Sequence, residues 1–270
     1  MGTKNYGTCS LCGKYGRLTY EHIPPKSSFN SKPVYAVSGD ALIKSKNREP
    51  WNLKGLPYTN LQKGMGKYSL CRECNNNTGA WYGNEYVRVS DAAHLAITEK
   101  AQGFGIKDFY PLRFIKQVLS MFCSVNPLDD GRIIPLRSFV LDKELHGLDK
   151  QKYKLCMYFT KSKLAKQNGI SVVGNILNKE FIALSEITSY PMGFILYFDP
   201  SESRDYVGFD ITDFSNYSYD SCGEVRFPLL LLDVNTWIPE DYRTKEEVLV
   251  TIDKSERWEQ EHGLSQKEMG

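Results

Sequence analysis

Long apolar runs and histidines are scarce in this sequence of 270 residues. Its longest apolar run, Phe227–Leu232, falls well short of the roughly 18 residues that a membrane-spanning helix requires. The N-terminal stretch contains no apolar core of the kind found in secretory signal peptides. Three of the four histidines, His94, His146 and His262, are far apart and occur in no recognisable metal or catalytic motif. We therefore expect neither a transmembrane helix nor a signal peptide, and one histidine is left as a candidate for catalysis.

A strong overall charge is also absent, because the formal net charge is only +2 at pH 7. The charge is nevertheless unevenly distributed. Residues 1–90 contain 13 Lys and Arg against five Asp and Glu, whereas residues 91–270 contain 21 against 27. A basic surface favours contact with nucleic-acid phosphates, and an acidic surface disfavours it. The sequence therefore predicts nucleic-acid binding in the first third of the chain.

The seven cysteines include two Cys-x-x-Cys pairs, Cys9 with Cys12 and Cys71 with Cys74. A pair at this spacing in a tight turn directs both sulfur atoms to one ion, and two pairs complete the tetrahedral coordination of a structural zinc. The alternative is two unrelated pairs of buried or redox-active thiols. The cysteines predicted to be ordinary core or surface thiols are Cys123, Cys156 and Cys222. Zinc thiolates and an odd number of cysteines fit a reducing, cytoplasmic environment.

Two short motifs accompany the cysteine pairs. Glu21-His22-Ile23-Pro24 lies between the pairs, and Asn75 directly follows the second one. Together with Cys9-Ser-Leu-Cys12 and Cys71-Arg-Glu-Cys74, these motifs resemble the HNH, or ββα-metal, family of endonucleases over about residues 8–90. The chemistry agrees with the resemblance. Phosphodiester hydrolysis requires a base for the attacking water, for which neutral imidazole is suited near pH 7, and a cation for the developing charge.

The resemblance implies a role for each polar residue of the motif. His22 would act as the general base. Glu21 and Asn75 would bind a catalytic Mg2+ or Mn2+, with Asn77 as the second candidate for the amide ligand. Neighbouring residues of an ideal strand point to opposite faces, so a local bend must bring Glu21 and His22 to the same metal.

Residues 26–67 form a polar insertion between the two halves of the motif. Its basic side chains are interleaved with aromatic ones, which predicts an arm that faces DNA; the alternative is a solvated loop. The predicted nucleic-acid-binding residues are Lys26, Lys44, Lys46, Arg48, Lys63 and Lys67. Val34–Val37 and Ala41–Lys44 are predicted to pair as a small hairpin. The middle asparagine of the family would have to be Asn52 or Asn60, because none stands shortly before Cys71.

The hydrophobic period of the remaining chain changes from helical to strand-like near Lys152. The predicted helices are Asn75 to about Val89 with a continuation to Lys100, Leu112–Cys123, and a short one near Arg137–His146. After Lys152, runs of β-branched and aromatic residues separated by turns predict an antiparallel sheet. The predicted strands are Lys154–Thr160, Ile170–Leu177, Phe181–Glu186, Gly193–Phe198 and Val225–Asp233.

We therefore expect an α+β fold with an N-terminal zinc-stabilised ββα-metal module, a helical connector and a C-terminal antiparallel β-rich domain. The first domain is predicted over residues 1–104 and the second over residues 105–270. The expected function is hydrolysis of DNA by a metal-dependent endonuclease, and the alternative is a catalytically inactive, zinc-stabilised nucleic-acid-binding protein. The expected partner of the second domain is a regulatory protein or a small ligand, and the oligomeric state stays open. Small members of the family with an added domain resemble restriction or phage-defence effectors.

Overall fold

The structure, a computed structural model, describes residues 5–45, 49–175 and 180–261. The strands of these ranges are β1 (Tyr6–Thr8), β2 (Tyr15–His22), β3 (Val34–Ala36), β4 (Thr59–Leu61), β5 (Gly66–Cys71), β6 (Gly103–Phe109), β7 (Tyr153–Phe159), β8 (Lys166–Asn175), β9 (Glu180–Ser189), β10 (Met192–Phe198), β11 (Phe209–Asp210) and β12 (Gly223–Pro228). The helices are α1 (Gly39–Ile43), α2 (Arg72–Glu99), α3 (Pro111–Val125), α4 (Ile134–Leu141) and α5 (Lys245–Glu261), and a 3-10 helix covers Thr212–Asn216. The expected mixture of helices and antiparallel sheets is confirmed. Among the described residues, every helix lacks the combination of length and apolar sequence that crossing a membrane demands.

The first sheet contains β1, β2 and β5 in that order, and α2 starts where β5 ends. The register of β2 and β5 shifts between Thr19 and Tyr20, where Ser69 is the extra residue of a β-bulge. A bulge increases the local twist of the strands and redirects the side chains that follow it. The bulge therefore lies immediately before Glu21 and His22, where the resemblance expects a local bend.

Helix α2 is 28 residues long and begins next to the second cysteine pair. Its N-cap is Cys71, whose Sγ accepts a hydrogen bond from the backbone N–H of Cys74 at 3.5 Å. Because the thiol acts as the cap, the helix starts at Arg72 rather than at the predicted Asn75. The two predicted helical stretches are one continuous helix, which ends at Lys100 in the left-handed conformation with φ 57°.

The insertion between β2 and β5 differs from the predicted hairpin. Strand β3 pairs with β4 instead of with residues 41–44. The predicted second strand is the short helix α1, because the Ser38 side chain accepts a hydrogen bond from the backbone N–H of Ala41 and caps a helical turn. The predicted strand pairing over Ala41–Lys44 was therefore wrong, and local side-chain capping is the physical reason.

Asn30, Gly64 and Met65 close the base of the insertion, and we call these residues the neck. The buried Asn30 side chain donates to the carbonyl oxygens of Pro24 at 2.6 Å and Met65 at 2.8 Å. Its Oδ1 accepts from the backbone N–H of Met65 at 2.7 Å. A Cβ on Gly64, which has φ 90°, would lie 2.3 Å from the carbonyl oxygen of Asn30, so the neck requires glycine there. The neck fixes the distance between the ends of β2 and β5.

A five-stranded antiparallel sheet with the order β11-β7-β10-β9-β8 forms most of the second part. The predicted strands in this sheet are confirmed, although the end of the predicted Ile170–Leu177 lies outside the described residues. The predicted strand at Val225–Asp233 is β12, which ends at Pro228 and pairs with β6 in a separate two-stranded sheet. The predicted helix at Leu112–Cys123 is α3, and the one near Arg137–His146 overlaps α4 only over its first half. Helix α4 begins earlier because Pro135 suits the first turn of a helix, and it ends at Leu141 because Asp142 is extended.

Buried side chains from both parts of the chain pack into one cluster. The Tyr86 ring of α2 lies 6.1 Å from the Phe114 ring of α3 and 5.8 Å from the Phe194 ring of β10. Helix α4 and strand β8 also hold the N-terminal part, since Arg137 and Gln167 donate to backbone carbonyls of that part. The predicted domain boundary between residues 104 and 105 stays a prediction. This packing joins residues before the boundary to residues after it.

Candidate metal centre and adjoining pocket

The four cysteines predicted to bind zinc converge on one point. The Sγ atoms of Cys9, Cys12, Cys71 and Cys74 all lie within 4.8 Å of one another. The Sγ atoms of Cys12 and Cys71 are 3.9 Å apart. In a tetrahedral site with Zn–S bonds of about 2.3 Å, neighbouring sulfur atoms are about 3.8 Å apart. The cluster therefore has the dimensions needed to hold a metal ion such as zinc.

Backbone hydrogen bonds shape the turn that carries the first cysteine pair. The N–H of Gly13 donates to the carbonyl oxygen of Cys9, and the N–H of Cys9 donates to that of Lys14, both at 3.0 Å. Gly13 has φ 73°, which a residue with a side chain rarely adopts. The N–H of Cys71 points at the Cys9 sulfur at 3.3 Å, which joins the two pairs.

The electrostatics of the cluster favour a bound cation. A hydrogen bond from the Cys74 thiol lowers the pKa of Cys9 to about 4, and the same contact raises the pKa of Cys74. Burial raises the pKa of Cys12. Several thiolates at this separation repel one another, so a cation is needed to hold the remaining thiols in the deprotonated form that binds metal.

A pocket of about 260 Å³ opens at the start of α2, next to the cysteine cluster in sequence. Its walls come from the end of β2, the loop after it, one face of α2 and one residue of α3. Glu21, His22 and Asn75 all line it. The structure thus brings together the three residues to which the sequence assigns the base and the metal ligands.

Glu21 is the most buried of these three side chains, with 6 % exposure. Burial raises the pKa of its carboxyl group to about 7. A Cβ on Gly66, which pairs with His22 in β5, would be 2.1 Å from the Glu21 carbonyl oxygen, so the strands approach closely only because residue 66 is glycine. A carboxylate at this position is a hard oxygen ligand for a divalent cation, and a bound cation would favour its ionised form.

His22 is held in one tautomer by the backbone of Lys63, the residue that precedes the neck. Its Nε2 lies 3.0 Å from the carbonyl oxygen of Lys63. A carbonyl oxygen only accepts, so Nε2 carries the proton and Nδ1 of the neutral ring keeps its lone pair. Burial lowers the pKa of His22, and the charges of Lys26 and Lys63 lower it further. The Tyr20 ring packs edge-on against the imidazole at 5.1 Å. His22 therefore presents an oriented neutral imidazole.

Asn75 presents its oxygen because its nitrogen is occupied. The Asn75 Nδ2 donates to Thr19 Oγ1 at 2.9 Å and to the carbonyl oxygen of Tyr20 at 3.3 Å. Asn77, the second candidate, is not among the residues that line the pocket. Two residues along an α-helix correspond to a rotation of about 200°, which directs Asn77 to another face. Asn75 is the better placed of the two.

Comparisons of the chain with protein-family models, curated proteins and solved structures found no match. The function of the pocket is therefore argued from the geometry and chemistry of its residues. The four-cysteine cluster makes this end of the molecule a candidate metal centre.

The predicted nucleic-acid-binding residues divide into two groups. Three of them lie beside Glu21 or His22. Lys26 lines the pocket, the Lys63 carbonyl bonds His22, and Lys67 faces Glu21 across the strands. Lys44 is the C-cap of α1 in the insertion and does not line the pocket. Lys46 and Arg48 lie outside the described residues. The insertion also carries an exposed aromatic pair, Tyr35 and Tyr58, with ring centroids 5.0 Å apart.

Sequence reasoning missed two features of this pocket. Gly79 and Gly83 follow Asn75 at steps of four, and their lack of side chains leaves room on that face of α2. This spacing was a readable signal. Gln117 of α3 also lines the pocket, and the apolar pattern of that helix gave no indication of it. Asn52 and Asn60 do not line the pocket, and the neck residue Asn30 is the asparagine that ties the loops together.

A second pocket of about 230 Å³ lies at the edge of the five-stranded sheet. The basic residues lining it are each ion-paired: Lys150 with Asp213, Lys154 with Asp210 and Arg204 with Glu240. An anionic ligand would have to compete with these carboxylates. The predicted small ligand of the second part therefore stays a prediction.

Proposed function

We propose that the chain is a metal-dependent, HNH-type endonuclease that hydrolyses phosphodiester bonds of DNA. The observation that carries the proposal is the joint lining of one pocket by Glu21, His22 and Asn75. Two further features support it. Strands β2 and β5 pair directly before helix α2 begins, and the four cysteines of the motif converge in a cluster that could hold a metal ion.

His22 performs the proton transfer in this proposal. Its Nδ1 lone pair accepts a proton from a water molecule, while the water oxygen forms a bond to phosphorus. The bond from phosphorus to the leaving sugar oxygen breaks, and that oxygen takes a proton from solvent. Glu21 and Asn75 would hold Mg2+ or Mn2+, which supplies electrostatic stabilisation of the negative charge that develops on the phosphate.

The zinc cluster has a structural role in this proposal. It joins the turn after β1 to the N-terminus of α2, which carries Asn75. The position of Asn75 relative to His22 therefore depends on the cluster. Lys26, which lines the pocket, and Lys67, which pairs with Glu21 across the strands, supply positive charge for the DNA backbone.

A binding protein without catalysis is the second candidate. The observation that favours it is the absence of Asn52 and Asn60 from the pocket, which leaves the motif without its middle asparagine there. Both candidates predict salt-dependent DNA affinity, and only the nuclease predicts strand cleavage.

The test is plasmid cleavage by the full chain with and without Mg2+ or Mn2+. His22→Ala is expected to lower the cleavage rate by about 10²- to 10⁴-fold because the general base is lost. Zinc content, unfolding temperature and DNA affinity should stay unchanged, because the His22 ring packs on Tyr20 and bonds the Lys63 carbonyl, and neither residue belongs to the four-cysteine cluster. His146→Ala is the matched control, since His146 is exposed and its ring lies against the nearby Glu144 carbonyl, far from the pocket in sequence.

Cleavage by His22→Ala within a few-fold of the wild-type rate would remove His22 from the mechanism. A wild-type chain that binds DNA and never cuts it would instead support the binding protein. The C-terminal β-rich part is proposed to recruit a protein or small ligand, because its acidic surface repels phosphate. A role in restriction or phage defence is supported by family analogy alone.

A further inference from the structure

Helix α3 contributes one polar side chain to the pocket. Gln117 has 3 % exposure and lines the pocket across from α2. Within the described residues its Oε1 has no hydrogen-bond partner. The same oxygen lies 3.9 Å from the position that a Cβ would take on Gly83, a residue of the pocket wall. A buried acceptor thus reaches the pocket from the second part of the chain.

The orientation of the Gln117 amide is fixed by its neighbour Ser120. The Ser120 hydroxyl donates to the Gln117 carbonyl oxygen at 2.7 Å, which uses its hydrogen. The Ser120 Oγ can then only accept, and it accepts from Gln117 Nε2 at 3.3 Å. The reverse orientation of the amide would set two acceptors against each other. Oε1, and not Nε2, is therefore the atom left for the pocket.

Buried acceptors without a donor are rare in folded proteins, because each one loses its water without replacement. A buried acceptor without a partner at the wall of a pocket therefore indicates that a bound ligand supplies the hydrogen-bond donor. The pocket already offers a carboxylate on Glu21 and an amide oxygen on Asn75. Carboxylate and amide oxygens with water are the surroundings that Mg2+ and Mn2+ prefer.

We propose that Gln117 is a positioning residue for the divalent cation of this pocket. Its Oε1 accepts a hydrogen bond from a water molecule bound to that cation, and so orients the hydrated ion against Glu21 and Asn75. The inference rests on the proposed function in that it takes the pocket to hold a divalent cation. It also makes α3, which lies outside the residues that carry the family resemblance, part of the site.

The test is a titration of the zinc-loaded full chain with Mn2+, in which binding is measured by calorimetry or by the electron spin resonance signal of free Mn2+. Gln117→Met keeps the length of the side chain and removes both polar atoms. We expect it to weaken Mn2+ binding by about 10- to 100-fold, the usual effect of losing a partner of a metal-bound group. The unfolding temperature of the Mn2+-free protein should stay equal or rise, because an unsatisfied acceptor has been removed. Gln117→Glu retains the acceptor and should keep or strengthen Mn2+ binding.

Ser124→Ala is the matched control. The Ser124 hydroxyl is also buried in α3 without a partner among the described residues, but it does not line the pocket. Its removal should leave Mn2+ affinity unchanged. Equal Mn2+ affinity of Gln117→Met and wild type would overturn the proposal and assign the oxygen to a structural water. Failure of the wild type to bind Mn2+ at millimolar concentration would overturn it as well.

Parallel cleavage assays separate this inference from the proposed function. If the wild type binds Mn2+ through Gln117 but never cuts DNA, the cation site stands and the nuclease proposal fails. If the wild type cuts DNA through His22 while Gln117→Met binds Mn2+ and cuts normally, the nuclease stands and the role of Gln117 fails.

Discussion

Replacing one sulfur ligand should release the zinc and unfold the start of α2. Cys71→Ser is the most informative change, because Cys71 is both a member of the cluster and the N-cap of the helix. Serine is among the best N-cap residues, so the cap hydrogen bond to Cys74 can survive the substitution. The measured destabilisation then reports the loss of metal binding.

The expected magnitude is large. Structural zinc sites contribute about 10–16 kcal/mol of binding free energy at pH 7 in small domains. Whole domains are stable by only about 5–15 kcal/mol. Each of the four sulfur atoms, all within 4.8 Å of one another, would supply one ligand, so the loss of Cys71 leaves three thiolates. We therefore expect less than one zinc per chain and local unfolding around the cluster.

Metal analysis and amide hydrogen exchange measure the two effects. Wild type should carry one zinc per chain, and a chelator should remove it together with exchange protection in β1, β2, β5 and the first turn of α2. Cys222→Ser is the control, since this thiol is exposed and outside the cluster. Zinc-free wild-type protein purified without chelator, or a Cys71→Ser variant with full zinc and unchanged protection, would refute the reasoning.

Two further predictions concern buried and surface lysines. Lys116 has 0 % exposure and donates to the carbonyl oxygen of Asp142, and burial lowers its pKa to about 8. Between pH 8 and 10.5 the unfolded chain then binds more protons than the folded one. As pH rises over that range, the free energy of unfolding of the wild type should increase by about 3 kcal/mol relative to that of Lys116→Met. The prediction is contradicted if the free energies of unfolding of the two proteins change equally with pH. The double variant Lys26→Gln with Lys67→Gln should lower the slope of log affinity for DNA against log salt by about 2. Lys150→Gln, in the acidic part, should leave that slope unchanged, and an unaltered slope in the double variant would place the DNA surface elsewhere.

The four-cysteine cluster was readable from the sequence because its residues belong to two short motifs. Cys9 to Cys12 and Cys71 to Cys74 are defined by spacing, and thiols at this spacing have few other uses than metal binding or redox chemistry. The amphipathic helix α3 and the strands after Lys152 were also readable, because hydrophobic periodicity directly reflects which face is buried.

The features that were not readable depend on contacts between distant residues. Helix α1 replaced a predicted strand because one serine side chain caps five residues with weak hydrophobic pattern. Strand β12 pairs with β6, which lies more than a hundred residues earlier in the chain. The alternation of apolar and polar residues predicts a strand but not the strand with which it pairs. Gln117 is a polar residue within an apolar helix, so its place in the pocket wall appears only when Gly83 on the opposite wall is seen.

The neck has a consequence for how this protein can vary. Asn30, Gly64 and Met65 join the two ends of the insertion, so β2 and β5 stay in register whatever lies beyond them. Doubling the length of a flexible loop adds only about 0.6 kcal/mol to the entropy cost of closing it. Residues 31–62 can therefore change in length and sequence without displacing Glu21 and His22, provided that Lys63, whose carbonyl oxygen holds His22, is kept. Under the proposed function, a different segment there would alter which DNA target the protein approaches.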